Sequence, residues 1–168
     1  MVKLAGAIFV LAGSWLVSVQ KVAQEHRHIR QLNGLSAGLE AMRRQLLLCA
    51  APMEELLLSA ERCGGDRISG FFQAISLSEL EKKPFAVQWD SAAEAAELLL
   101  TEEERRTLSE AGQVLGQAGL EEQCACLQAA AEALRTRAKE RAQNLAQNRR
   151  LWYTLSASAG LLAVVTLL

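Results

Sequence analysis

The sequence predicts an all-α protein: a helical bundle of about six helices, flanked by an N-terminal and a C-terminal transmembrane helix. Three observations carry that expectation. Apolar residues recur at three- and four-residue steps almost throughout, which is the period of one helix face. Gly and Pro punctuate the chain where helices would end, and no run alternates apolar and polar residues as a half-buried strand would. Near each end of the 168-residue chain lies an apolar stretch free of charge.

The first charge-free stretch runs from Leu4 to Val19, 16 residues, and the last from Leu151 to Leu168, 18 residues. As helix they measure roughly 24 and 27 Å at ~1.5 Å per residue. A hydrocarbon core is ~30 Å thick, so both are near the short limit for spanning. Lys3 and Lys21 can snorkel and extend the first span, and Trp152 and Tyr153 suit the membrane interface. No clear A-x-A cleavage site closes the apolar stretch before Lys21, and Ser14 stands where a lipoprotein would need Cys, so the first span is expected to be retained. The organisation predicted is residues 1–22 as one span, 23–150 as a bundle and 151–168 as the second span. Gly6 and Gly13 share a face of the first span, and Ser156 and Gly160 make a small-xxx-small pair in the second; such faces let helices approach closely.

Between the spans each helix shows its own apolar face. Leu35, Leu39, Met42, Leu46 and Cys49 form the first. Pro52 opens a new helix that Gly64-Gly65 ends. Ile68, Phe71, Phe72 and Ile75 mark a third helix. Pro84 opens a fourth with the face Phe85, Trp89, Ala92, Ala96 and Leu99. Thr101-Glu102-Glu103-Glu104 is a capping box: the hydroxyl serves the amide of Glu104, and the Glu104 carboxylate reaches back to the Thr101 amide. The fifth helix it starts carries Leu108, Ala111, Leu115 and Ala118, and breaks at Gly116–Gly119. The last helix carries Leu120, Cys124, Leu127, Ala131, Leu134 and Ala138, a seam suited to antiparallel packing. No Pro and one Gly lie between Leu120 and Leu168, so this helix is expected to run on into the second span.

A net charge of -1 hides a segregation. Residues 21–39 and 133–150 together hold nine basic and two acidic residues, whereas 40–132 hold eight basic and seventeen acidic. Basic residues beside spans mark the cytoplasmic side, which puts the bundle in the cytoplasm and both termini outside. The basic flanks suit anionic lipid headgroups of the bilayer. The acidic middle excludes nucleic acid as a partner, because phosphates need a basic surface.

Little in the chain suggests reaction chemistry. The four cysteines, Cys49, Cys63, Cys124 and Cys126, are expected to be reduced and mostly buried in a cytoplasmic domain. His26 and His28 with Cys124 and Cys126 would be the obvious metal set. Residues two apart on a helix point roughly 200° apart, so neither pair can grip one ion. The histidines are expected to be solvated beside the membrane. A Cys–His nucleophile would lack an orienting third group and an oxyanion site. No enzyme activity, metal or cofactor is expected.

Several segments resemble the stage III sporulation protein AB family of endospore-forming bacteria, nearly end to end. Val2-Lys3-Leu4-Ala5-Gly6-Ala7 is similar to the family's opening, and Arg30-Gln31-Leu32 to its juxtamembrane helix. Ala51-Pro52-Met53 resembles a Thr-Pro-Leu element, and Phe71-Phe72 a pair of aromatics. Leu115-Gly116 with Gln123 resembles the pattern L-G-x-x-D-x-x-x-Q, with Gly119 in place of the Asp. Leu151 to Leu168 resembles the family's closing span.

The resemblance implies a bundle similar to the cytoplasmic domain of the type II secretion platform protein F. It also implies a non-enzymatic membrane platform subunit of a secretion-like channel linking mother cell and forespore. Its partners would be a secretion-type ATPase and other membrane subunits of that channel, with the bundle on the mother-cell side. A membrane-bound regulatory or signalling adaptor is the alternative. The turn that carries the family-like pattern also exposes opposed helix ends. Gly116, Gln117, Gly119, Glu121, Glu122 and Gln123 are therefore the candidate partner-binding residues.

Overall fold

The computed structural model describes the backbone of residues 2–75 and 83–167 and the side chains of residues 22–65, 68–75 and 83–147. Those residues form six α-helices and no strand: α1 Val2–Cys49, α2 Met53–Gly64, α3 Asp66–Gln73, α4 Phe85–Ala95, α5 Glu102–Val114 and α6 Leu120–Leu167. The chain divides into two compact units. One joins Met1–Arg27 with Lys139–Leu168, and the other is His28–Ala138.

The first unit brings the two chain ends together, and Arg141 there pairs with Glu25 at 3.5 Å. Among the described residues no helix is long and apolar enough to cross a membrane. The expected spans, 1–22 and 151–168, fall almost wholly on residues whose side chains lie outside those described, as do Gly6, Gly13, Ser156 and Gly160; their backbone is helical from Val2 to Leu167.

The second unit is the bundle. Along α1, Leu32, Leu35, Leu39, Met42 and Leu46 are buried on the face that periodicity selects. Cys49 does not continue it: it is exposed, because α1 ends there and the chain turns at Ala50, whose φ is 43°. The same helix carries a notch. A Cβ on Gly34 would fall on the Gly64 carbonyl oxygen, and one on Gly38 would lie 2.7 Å from the Phe72 ring. The missing side chains let α2 and α3 seat directly against the α1 backbone. On the α6 side, the Ser36 hydroxyl donates to the Ala131 carbonyl at 2.8 Å. Cys124, Leu127, Ala131, Leu134 and Ala138 are buried as the seam predicts. Leu120 is 48% exposed, since it is the first residue of α6 and the partner helices end beside it.

Aromatic packing fixes the short helices. Trp89 is fully buried, with ring centroids 5.0 Å from Phe71, 6.0 Å from Phe72 and 5.6 Å from Phe85. Its indole N–H donates to the Leu108 carbonyl at 2.8 Å, so the ring is buried without an unpaired donor. Gly112, one turn further along α5, is where the ring lies: a Cβ there would collide with the indole. α4 ends at Ala95, a turn earlier than its apolar pattern suggests. Glu97 takes a φ of 47°, Leu98 is buried in place of Leu99, and the Leu99 amide donates to Gln31 on α1 at 3.0 Å.

The capping box is present. The Thr101 hydroxyl accepts from the Glu104 amide at 3.4 Å, and Glu104 accepts from the Thr101 amide at 2.7 Å. Glu104 does more than cap. It is 1% exposed, and the oxygen that takes the Thr101 amide lies 2.8 Å from His28 Nε2 on α1. His28 is therefore not solvated, as its place near the first span suggests, but 12% exposed and paired. Burial alone would raise the Glu104 pKa. The Thr101 amide and His28 outweigh it, and the pKa ends below its ordinary value of 4.5.

Two outcomes follow from this packing. Gly112→Ala should gain up to ~1 kcal/mol of helix propensity. It should lose more to displacement of a fully buried indole, for a net cost of about 1–3 kcal/mol in the urea unfolding midpoint. Glu104→Ala should lower stability by about 2–4 kcal/mol, because it strands the Thr101 amide and the His28 ring. The folded pKa of Glu104 is lowered, so its ionised form contributes fully above about pH 4.5 and progressively less as pH falls below it. The gap between wild type and Glu104→Ala, followed by unfolding at stepped pH, should shrink below pH 4.5; a gap that widens there would refute the sign.

Candidate partner-docking site

The turn between α5 and α6 is shaped by one buried leucine and one glycine. Leu115 leaves the helix with φ −63° and ψ 125°, and its side chain is 1% exposed. Gly116 follows with φ 77°, a conformation that costs a side-chain-bearing residue ~1 kcal/mol or more. The Val114 carbonyl then accepts from both the Gln117 and Ala118 amides, at 3.3 and 3.2 Å. From the other side, Gln123 Nε2 donates to the Ala118 carbonyl at 2.6 Å.

Thus the six candidate residues divide. Gln123 is partly buried and turned inward, closing the loop. Gly116, Gln117, Gly119, Glu121 and Glu122 are exposed. Fewer backbone groups are free at this turn than opposed helix ends would suggest, because the chain itself takes the Val114 and Ala118 carbonyls. What the turn offers outward is two carboxylates in the first turn of α6 and a short glycine-flanked backbone.

Gly119 stands just before α6, and its carbonyl accepts the first helical bond, from the Gln123 amide at 3.0 Å. That is the cap position, where a short polar side chain would satisfy a free amide. A Cβ on Gly119 would meet nothing within 4 Å. The Gly-for-Asp departure therefore removes a cap without any packing reason.

Elsewhere the chemistry is internal. Among the described residues no group of three His, Cys, Asp or Glu side chains could hold a metal ion. His26 is exposed, while His28 is paired to Glu104. Cys124 is buried and Cys126 partly buried, whereas Cys49 and Cys63 are exposed, against the expectation that most would be interior. They lie at or near helix ends, outside the faces that close the core. Burial pushes the Cys126 thiol up, away from the thiolate that nucleophilic chemistry needs. A groove of about 510 Å³ runs along α4 and α5, lined by Asp90, Glu94, Glu103, Arg105 and Arg106 among others. Its charged groups meet each other or their neighbours: Ser109 donates to Asp90 at 3.1 Å, Arg105 is 3.9 Å from Glu94, and Arg137 is 3.0 Å from Glu103.

The fold defines a helical bundle over His28–Ala138, and the remaining parts of α1 and α6 form a separate unit. The sequence pattern of the family described as stage III sporulation protein AB matches residues 3–168, and the chain belongs to that family. A solved structure of "Stage III sporulation protein AB" is similar, with a TM-score of 0.62 and 18% identity over 71% of this chain and 97% of that one. At that identity the likeness speaks for the fold. No curated protein sequence matches the chain.

Restoring the cap gives a direct test of the turn. Gly119→Asp should stabilise the full-length protein by about 0.5–1 kcal/mol, through a capped amide, the α6 dipole and a less flexible unfolded chain. An unchanged or lowered thermal midpoint would show that residue 119 does not cap α6.

Proposed function

We propose that this member of a sporulation family is a non-enzymatic membrane platform subunit of a secretion-like channel that links mother cell and forespore. The observation that carries the reading is the unit formed by the two chain ends. Residues 4–19 and 151–168 are free of charge, their backbones are helical to Leu167, and both belong to one compact unit. Such a pair is suited to enter a bilayer side by side. The nine-to-two basic excess in the flanks supports a cytoplasmic bundle with both termini outside. The family's place in sporulation supports the channel setting.

In this reading the bundle is the cytoplasmic part of the platform, on the mother-cell side. It contacts a secretion-type ATPase, and the paired spans contact other membrane subunits through the faces bearing Gly6, Gly13, Ser156 and Gly160. The exposed part of the α5–α6 turn, above all Glu121 and Glu122, takes part in docking the ATPase.

Two measurements bear on this. A reporter active only after export, fused behind Leu168, should be active, and a reporter active only in the cytoplasm at the same place should be silent; the reverse pattern overturns the orientation. After mild detergent extraction of sporulating cells, the tagged chain should bring down the ATPase. A folded Glu121→Lys/Glu122→Lys protein should bring down about tenfold less. Recovery of a sensor kinase or transcription factor in place of channel components would favour the adaptor reading instead.

A further inference from the structure

Five large hydrophobic side chains are exposed among the described residues, and three of them stand at one end of the bundle: Leu47 at 53%, Leu48 at 80% and Leu120 at 48%. Their common position follows from three contacts. Glu104 on α5 pairs with His28 near the start of this unit, and its neighbour Glu103 pairs with Arg137 on α6. Further along α1, Ser36 bonds Ala131, which lies earlier on α6. The two long helices are therefore antiparallel here. Leu47 is eleven residues beyond Ser36, and Leu120 is eleven residues before Ala131. At ~1.5 Å per residue both stand about 16 Å past the Ser36–Ala131 bond, at the same level.

The start of α2 shares that end. It begins four residues after Cys49, and Met53 Cε lies 3.5 Å from where a Cβ on Gly116 would be. Glu54 and Glu55 are exposed in its first turn, and Glu121 and Glu122 are exposed in the first turn of α6. Four exposed carboxylates thus stand at the same end of the bundle as the leucines. The C-terminal end of α1 adds the negative pole of a helix dipole, with no basic residue in its last turn. Further back on α1, Arg43 and Arg44 are drawn to Glu40 at 2.7 and 3.3 Å.

A singly exposed leucine is ordinary. An apolar centre with a rim of one charge sign is the make-up of a protein-binding patch. We propose that this end of the bundle is a docking face for a protein partner whose surface sets lysine or arginine side chains around an apolar centre. The proposal rests on the docking role of the α5–α6 turn and extends it to the α1–α2 corner. Charge complementarity selects the occupant. Anionic lipid and nucleic acid are repelled by the four carboxylates, and an apolar surface alone would leave them without partners.

Position 48 allows a direct test, because a side chain that is 80% exposed can be replaced without touching the core. A photoreactive amino acid is placed there in the full-length protein in sporulating cells, and separately at Arg106, whose side chain is 74% exposed on α5. Position 48 should give a cross-link to another protein, mapped by mass spectrometry to a segment with basic residues beside apolar ones. Position 106 should give little. Reversing the rim with Glu54→Lys/Glu55→Lys/Glu121→Lys/Glu122→Lys should cut the adduct about tenfold, equivalent to ~1.4 kcal/mol. If that variant is misfolded by circular dichroism, Leu47→Ser with the probe kept at 48 should give a comparable loss in a folded chain. An adduct no stronger at 48 than at 106, one to a second copy of this chain, or one untouched by the substitutions overturns the docking face. An adduct to a basic and apolar surface of a protein other than the ATPase supports the face and removes the ATPase as its occupant.

Discussion

The carboxylate of Glu104 is the junction on which the helix arrangement depends. It ends the free amide of Thr101, so α5 can start; it meets His28, so α5 is held against α1; and it does both while 1% exposed. A buried carboxylate is costly unless its oxygens are occupied. Here the cost of burial is offset only when the α5 cap and the contact with α1 are in place at once. The group therefore stabilises one arrangement rather than a family of them, since a shift of α1 by even one residue would carry His28 around the helix and leave the charge unpaired.

The other contacts are arranged around that junction. Arg137 of α6 reaches Glu103, the neighbour of Glu104, and Gln31 of α1 holds the Leu99 amide just upstream of the cap. About two turns further along the same face of α5, Gly112 lets Trp89 approach the helix backbone while its N–H is taken by the Leu108 carbonyl. A polar lock and an aromatic wedge thus fix the same helix at two levels. This leaves the α5–α6 turn and the α1–α2 corner as places where a firmly held scaffold presents exposed, charged surface, which is where docking residues are usually found.

Local chemistry made much of this legible in the sequence. Thr101 and Glu104 are three residues apart, so the capping box could be read directly, and the faces of α1 and α6 follow from period alone. What failed to show was set by distance along the chain. His28 and Glu104 are 76 residues apart, and nothing near His28 announces a buried partner. Gly34 and Gly38 look like ordinary interruptions until Gly64 and Phe72 are seen against them. Helix ends also misled: Leu120 and Cys49 keep the apolar rhythm but lie where the neighbouring helices stop, and Glu97 turns the chain so that Leu98 takes the place of Leu99. At the candidate site the exposed glutamates could be read, but the inward turn of Gln123 could not, because its acceptor is a backbone carbonyl of the folded loop.

The stretch of α1 from His28 to Leu46 meets a different neighbour at nearly every turn: Glu104, the Leu99 amide, Gly64, Ala131, Phe72. Adding or deleting one residue inside it would rotate everything beyond by roughly 100° and advance it by ~1.5 Å. No later contact would survive. This segment is thus a ruler of fixed length, along which evolution can exchange side chains but cannot change the count. The Gly116–Gly119 turn accepts a side chain at Gly119, where a Cβ would meet nothing, but its own length is tied by the Gln123 bond to the Ala118 carbonyl and by the buried Leu115 that precedes it.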